Sequence, residues 1–226
     1  MTKITILNLN MGNVGSIPNM LGRIGCKSIV SSEPEEIERA AKLILPGVGS
    51  FDAAMKQLQA LDLLSILNKK ALEEKIPILG ICLGMQLLTD GSEEGVLPGL
   101  GWIPGQVVRF RFEKTSDLEL KIPHMGWNHL QRNPSIPILS GYDTDPRFYF
   151  VHSYHLAPDS LDALTHRANA SYGYEFPAVV QRGNIFGVQF HPEKSHRYGL
   201  KLLENFASLN NQSEQVLQLD SLAKSS

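Results

Sequence analysis

The chain has 226 residues, 42% of them hydrophobic and 19% charged, a balance that excludes a disordered polymer and provides enough apolar side chain for one full-sized core. Its 21 Lys and Arg against 23 Asp and Glu leave a formal charge of −2, so neither a nucleic acid nor a membrane is expected as a partner. The longest apolar runs fall far short of the roughly 20 residues that cross a bilayer. The N-terminus passes from Lys3 into a strand-like run with no signal-peptide pattern, and two cysteines, Cys26 and Cys82, are too few for a disulfide framework. A cytoplasmic location is expected.

In chain order, Ile4 to Leu9 reads as a strand that meets the turn-like Asn10-Met11-Gly12-Asn13, after which Ile17, Met20, Leu21 and Ile24 recur at helical spacing. Short strands are expected at Ser28 to Ser31 and Leu43 to Leu45, with a helix opened by Pro34 between them. Phe51, Met55, Leu58, Leu61 and Leu64 mark one face of a long helix running to about Lys75, and Ile76 to Ile81 is a short, two-sided apolar strand. Strands alternating with helices imply a parallel sheet. The second half differs: Gln106 to Phe112 has a period of two, and Phe148 to Val151, Ala178 to Gln181 and Ile185 to Phe190 follow with little helix, so antiparallel hairpins are expected there. An amphipathic helix over about Tyr198 to Leu209 turns Leu200, Leu203 and Phe206 inward. The reading is therefore α/β, with one domain over 1–209 and a polar tail over 210–226 that is expected to be mobile.

Chemistry concentrates at three places. Ile78 to Leu88 runs an apolar strand into Gly80-x-Cys82-x-Gly84 and out into a helix, the thiol form of a nucleophile elbow. Small residues are required two before and two after the nucleophile because the backbone doubles back. At the helix N-terminus the partial positive charge favours a thiolate; the competing reading is a buried structural cysteine beside a βα turn. Cys26, in Gly25-Cys26-Lys27, has no such frame and is expected to be inert. The second place is Phe190-His191-Pro192-Glu193, where Pro192 biases His191 toward an extended backbone and Glu193 can hold the imidazole, giving a Cys-His-Glu triad. The third is Pro46-Gly47-Val48-Gly49 after a buried strand. It lacks the third glycine and the Gly-Lys-Ser/Thr of phosphate loops, so an oxyanion hole formed by the N–H groups of Leu83 and of this loop is the more economical role. His152 and His155 lie at opposite phases of a strand, and neither a metal nor an organic cofactor is expected.

Gly80 to Gln86 together with His191-Pro192-Glu193 resembles the class I, triad-type glutamine amidotransferases, and Pro46 to Gly49 matches their oxyanion-strand motif. Lys121 to Asn128, Phe150 to Tyr154 and Met11 to Asn13 resemble, within that family, the glutaminase subunits of imidazole glycerol phosphate synthase. The likeness spans about residues 4–207. It implies an open, mainly parallel sheet flanked by helices with an antiparallel extension, and hydrolysis of L-glutamine to glutamate and ammonia through Cys82, His191 and Glu193. It also implies transfer of the ammonia to a (β/α)8-barrel cyclase subunit in a heterodimer that serves histidine biosynthesis. By the same resemblance Gly47, Val48, Gly49 and Leu83 surround the oxyanion, Gln86, Ser153 and Tyr154 the substrate, and Met11, Asn13, Trp127, Tyr154 and Lys194 the face that meets the partner.

Asn10 departs from the family pattern and the tail is extra, which keeps open a paralogue feeding ammonia to a cyclase-like partner in surface-sugar amidination. A stand-alone cysteine hydrolase and a catalytically silent regulatory module are the remaining alternatives. Two glycines around Val48 let that peptide rotate at little steric cost, so the isolated chain is expected to be nearly silent until a partner favours the active loop.

Overall fold

The computed structural model describes residues 3–12, 14–112, 120–131, 133–142 and 144–209. The expectations placed on Asn13 and on the tail 210–226 lie outside the described residues. Among those residues, no helix is long and apolar enough to cross a membrane.

The first half alternates as expected: β1 (Ile4–Leu7), α1 (Ser16–Arg23), β2 (Ser28–Ser31), α2 (Pro34–Glu38), β3 (Leu43–Gly47), α3 (Phe51–Ala60), α4 (Leu64–Asn68), β4 (Ile78–Cys82) and α5 (Leu83–Leu87). Strands β1 to β4 pair in parallel in the order β2-β1-β3-β4. Every residue of β4 is buried, as a strand covered on both faces must be. Its side chains divide by parity. Leu79 and Ile81 join Ile44, α1 and the last helix on one face, while Ile78 joins Leu43, Leu45, Phe51, Met55 and Leu58 on the other.

The expected single helix from Phe51 to Lys75 is two. The backbone reverses at Asp62, φ +52, which no α-helix accommodates. After the break Leu63, Leu67 and Ala71 are buried, in place of Leu61 and Leu64, which are half-buried.

The second half comprises β5 (Gly91–Ser92), β6 (Gln106–Arg109), β7 (His124–His129), β8 (Arg147–His152), β9 (Tyr154–Leu156), β10 (His166–Tyr172), β11 (Tyr174–Arg182), β12 (Ile185–Val188) and α6 (His196–Ser208). Strand β12 pairs in parallel with β4, and β11 and β10 continue the sheet antiparallel, giving seven strands in the order β10-β11-β12-β4-β3-β1-β2. β7 and β8 form an antiparallel pair, and β6 bridges β5 and β9. The expected strand over Gln106 to Phe112 ends at Arg109, because the chain leaves the ladder once β9 no longer faces it. In α6, Leu202 is fully buried where Leu200 was expected; Leu203 and Phe206 point inward as read.

Candidate active site

Cys82 ends β4 and caps α5 with φ +54 and ψ −109. A non-glycine residue holds such a conformation only when its surroundings force it. The forcing contacts are those of the two glycines. A Cβ on Gly80 would stand 2.6 Å from the Gly84 carbonyl oxygen, inside the following helix, and one on Gly84 would stand 1.8 Å from the Leu45 carbonyl oxygen on β3. Gly47 is as tightly held, since a Cβ there would meet the Gly84 nitrogen and the Leu83 side chain at 2.7 Å. The loop expected to hold the oxyanion therefore lies directly against the elbow. Beyond it, Val48 is exposed and Gly49 takes φ +108.

His191 follows the end of β12, with φ −102 and ψ 97, the extended geometry that Pro192 imposes. Its backbone is pinned to β8: its N–H donates to the Tyr149 carbonyl at 2.9 Å. The Ser195 hydroxyl donates to the His191 carbonyl at 2.6 Å and accepts the Tyr149 N–H at 3.0 Å. Glu193 lies in a single 3-10 turn, Pro192–Lys194, not in extension of the strand, and still reaches His191 Nδ1 with Oε1 at 2.6 Å. Cys82 is the ring's other ionisable neighbour, and the two side chains line the same cavity. Burial pulls the imidazole's pKa down, but the neighbouring Cys82 and the bonded Glu193 outweigh it and lift the pKa to about 10. Both neighbours thus favour the protonated ring.

Cys82 and His191 line a cavity of about 360 Å³ together with Val48, Gly49, Leu83, Gln86, Ser153, Tyr154 and Lys194, so these residues read from sequence meet in one place, with Gly47 and Glu193 in a crevice behind it. The partner-face residues divide. Lys194 lines this cavity, and Met11 lines a crevice behind it with Gly47, Val48 and Glu193. Trp127 lies outside both, half-exposed and stacked on His196 at 5.5 Å between ring centres. It connects to the cavity rim through Tyr149, whose ring meets Trp127 at 6.1 Å and the Lys194 ammonium at 5.8 Å.

The amide of Gln86 is engaged within the protein: Nε2 donates to the Tyr154 carbonyl and to Gln189 Oε1, both at 3.1 Å. Gln189, 0% exposed, in turn has Nε2 3.7 Å from Cys82 Sγ. Sequence reading passed over Gln189, although it stands two residues before His191 and so shares its side of the strand end. Glu94 was also missed. Its carboxylate lines the cavity and accepts the Phe51 N–H at 2.9 Å, a long-range placement without a local sequence signal. His152 and His155 make separate protein contacts. His152 bonds the Tyr154 carbonyl and His124, while His155 bonds the Leu156 carbonyl and the Tyr174 hydroxyl. No group of metal-ligating side chains occurs among the described residues.

A family model described as glutamine amidotransferase class-I matches residues 5–209. Imidazole glycerol phosphate synthase subunit HisH 2 of Methanococcus maripaludis is 50% identical over 90% of this chain and 98% of its own, and HisH 2 of Pseudomonas aeruginosa is 47% identical over 91% and 99%. HisH 1 of M. maripaludis is 44% identical over 91% and 99%. Among solved structures, a glutamine amidotransferase superimposes with a TM-score of 0.68 at 20% identity, covering 91% of this chain and 99% of that one, and the PurLQS structure from Thermotoga maritima with 0.66 at 19%, covering 91% and 98%. Matching nearly end to end, and carrying the elbow cysteine and His191 in one cavity, the chain belongs to the class-I glutamine amidotransferases and, within them, to the HisH subunits of imidazole glycerol phosphate synthase.

Proposed function

We propose that the chain hydrolyses L-glutamine and delivers the ammonia to a cyclase subunit that makes imidazole glycerol phosphate in histidine biosynthesis. The observation that carries this reading is that Cys82 and His191 line one cavity while Glu193 bonds His191 Nδ1 at 2.6 Å. The Cys82 thiolate attacks the side-chain amide carbon. As the C–S bond forms, the carbonyl electrons move onto oxygen, where the N–H groups of Leu83 and Val48 receive the charge; one such donor is worth about a hundred- to a thousandfold in rate. His191 protonates the departing nitrogen, ammonia leaves, and a water activated by the now neutral His191 cleaves the thioester to glutamate and restores the thiolate. Glu94 and Lys194 place one negative and one positive charge on the cavity wall, a match to the ammonium and carboxylate of the amino-acid end.

In bulk water at neutral pH ammonia is protonated and useless as a nucleophile, so the product needs a sealed route to its acceptor. A (β/α)8-barrel partner closing over the cavity in a heterodimer supplies it. The test is ammonia and glutamate release from glutamine, with and without the cyclase subunit and its ligand. Turnover rising at least about tenfold with the partner supports the reading, and none in either case rejects it. A second reading has one observation in its favour: the chain is more like the second than the first of the two M. maripaludis HisH chains. Such a duplicate could feed a cyclase-like partner in surface-sugar amidination; rescue of a strain lacking its HisH subunit, on medium without histidine, decides for the histidine pathway.

A further inference from the structure

We infer that Gln189 is a further catalytic residue, its side-chain amide donating a hydrogen bond to the sulfur of Cys82 while the nucleophile carries negative charge. The inference rests on the proposed glutaminase reading for its role in turnover, though not for its geometry. Gln189 is fully buried, and its backbone N–H is fixed to the Ala178 carbonyl at 2.8 Å. A primary amide is costly to bury without partners, and here both ends have one. Oε1 accepts from Gln86 Nε2 at 3.1 Å, and Nε2 faces Cys82 Sγ at 3.7 Å, within reach of a large sulfur acceptor.

The orientation of this amide is determined by what lies behind it. Gln86 Nε2 has two hydrogens and two acceptors, Gln189 Oε1 and the Tyr154 carbonyl, so it can present only donors to Gln189. The same carbonyl accepts from His152 Nδ1 at 2.8 Å, which places that ring's hydrogen on Nδ1 and leaves Nε2 to accept from His124 Nδ1 at 3.0 Å. His124 Nε2 then accepts from Asn128 Nδ2 at 3.2 Å. Burial keeps both rings neutral, His124 being lowered to about 4 and His152 pulled well below the usual histidine range. Every donor and acceptor in the set has one consistent direction. Reversing the Gln189 amide would set N–H against N–H at Gln86 and a carbonyl oxygen against the sulfur. The N–H therefore points at Cys82.

Such a donor does different work from His191. It stabilises the thiolate without giving up a proton, both before attack and when the thiolate is expelled from the thioester. The groups facing Cys82 are few. They are the Leu83 N–H at the start of α5, Gly47 and Val48 after β3, the Val151 carbonyl at 4.0 Å with neutral His152 on β8, and His191 backed by Glu193 beyond β12. Lys194 and Glu94 carry the remaining charges on the cavity wall.

The test uses the full chain in a Cys26→Ala background, so that iodoacetamide reports on Cys82 only. In Gln189→Met, which keeps the bulk and removes the donor, the alkylation rate at pH 7 falls about tenfold and the midpoint of its pH profile moves up by about one pH unit. With the partner present, kcat for glutamine falls by a similar factor while KM changes less than twofold. An alkylation profile identical to the parent's, in a variant that melts cooperatively at the parent's temperature, overturns the inference. Should Gln189→Met fail to fold, the ¹⁵N-labelled parent gives the answer: the Gln189 side-chain amide resonance shifts when Cys82 is alkylated, and an unmoved resonance overturns it. The alkylation readout is independent of glutamine, so a parent that releases no ammonia with its partner rejects the glutaminase reading while leaving this measurement valid.

Discussion

The two cysteines sit at the two kinds of junction this fold offers, and the contrast between them shows what makes a thiol a nucleophile. Both are buried, Cys26 at 3% exposure and Cys82 at 7%. Cys26 lies in the turn from α1 to β2, where its thiol donates to the Lys27 carbonyl, and burial pushes its pKa up against the pull of Lys42. Cys82 lies in the tighter turn from β4 to α5, in one cavity with His191 and against the amide of Gln189. Burial is common to both. The differences are a positive-φ backbone at the carboxyl end of the central strand β4, and a histidine brought from 109 residues further along the chain by the parallel pairing of β12 with β4.

The sharpest test of the contrast is substitution of each thiol. Cys82→Ala removes the attacking atom and is expected to lower glutamine hydrolysis by several orders of magnitude, whereas Cys26→Ala leaves it within about twofold. Steady-state ammonia release in the presence of the partner checks both, and equal losses would remove the basis of the comparison. The glycines beside each thiol give a second test, in stability. Gly84→Ala drives a Cβ into the Leu45 carbonyl at 1.8 Å, a clash between two backbone segments that cannot relax separately; a loss of about 3 kcal/mol is expected. At Gly25, next to Cys26, a Cβ meets nothing within 4 Å and the cost is only that of φ +73, about 1 kcal/mol. Denaturant unfolding of the two variants orders them, and a Gly84→Ala as mild as Gly25→Ala would mean the elbow is not sterically forced.

The same contrast explains what was legible in the sequence. The elbow could be read because its requirement is local: small residues at 80 and 84 around a cysteine, after an apolar run. His191 and Glu193 were readable as a pair for the same reason, though that they face Cys82 follows from sheet order and not from their own neighbourhood. Strand β7 was not readable as a strand, since its pattern reverses the usual rule. Its buried or half-buried positions are His124, Gly126 and Asn128, while Met125 and Trp127 are exposed. That face packs His124 on the rings of Phe150 and Tyr172 and bonds Asn128 to the Ser171 carbonyl, so polar side chains stand where apolar ones are usual. Strand β10 hid behind small residues, with Ala168 and Ala170 inward. Gln189 offered only its spacing two residues before His191, and the position of Gln86 gives that spacing its meaning.

The buried histidines extend the comparison to pH. His191 is held protonated, whereas His124 and His152 are held neutral, so the two groups act on stability from opposite sides. A histidine whose folded pKa is depressed stabilises the fold above its unfolded value near 6.5, and that contribution is lost as the pH falls through the folded value. For His124 the window is roughly pH 6.5 down to about 4, and at most about 3 kcal/mol is lost across it. In His124→Asn the acid limb of the stability profile is expected to flatten, measured as the urea midpoint at successive pH values. An unchanged limb would place the acid sensitivity elsewhere.

At Glu193 the effect on stability has the opposite sign. Its carboxylate orients the ring and is one of two partners that raise His191, the Cys82 sulfur being the other. Glu193→Gln keeps a hydrogen-bond acceptor at Nδ1 and removes the charge, so hydrolysis is expected to fall about ten- to a hundredfold, well short of the loss on replacing His191 with Ala. The fold responds at alkaline pH. Because the folded pKa of His191 lies above its unfolded value, its contribution is complete below about 6.5 and is lost as the pH rises through about 10. Removing the Glu193 charge lowers the upper edge of that window, so between pH 7 and 10 the variant's stability declines less steeply than the parent's. Unfolding midpoints across that range measure the slope. Activity equal to wild type in Glu193→Gln, with His191→Ala inactive, would reduce the triad to a Cys82–His191 dyad and leave Glu193 a structural neighbour.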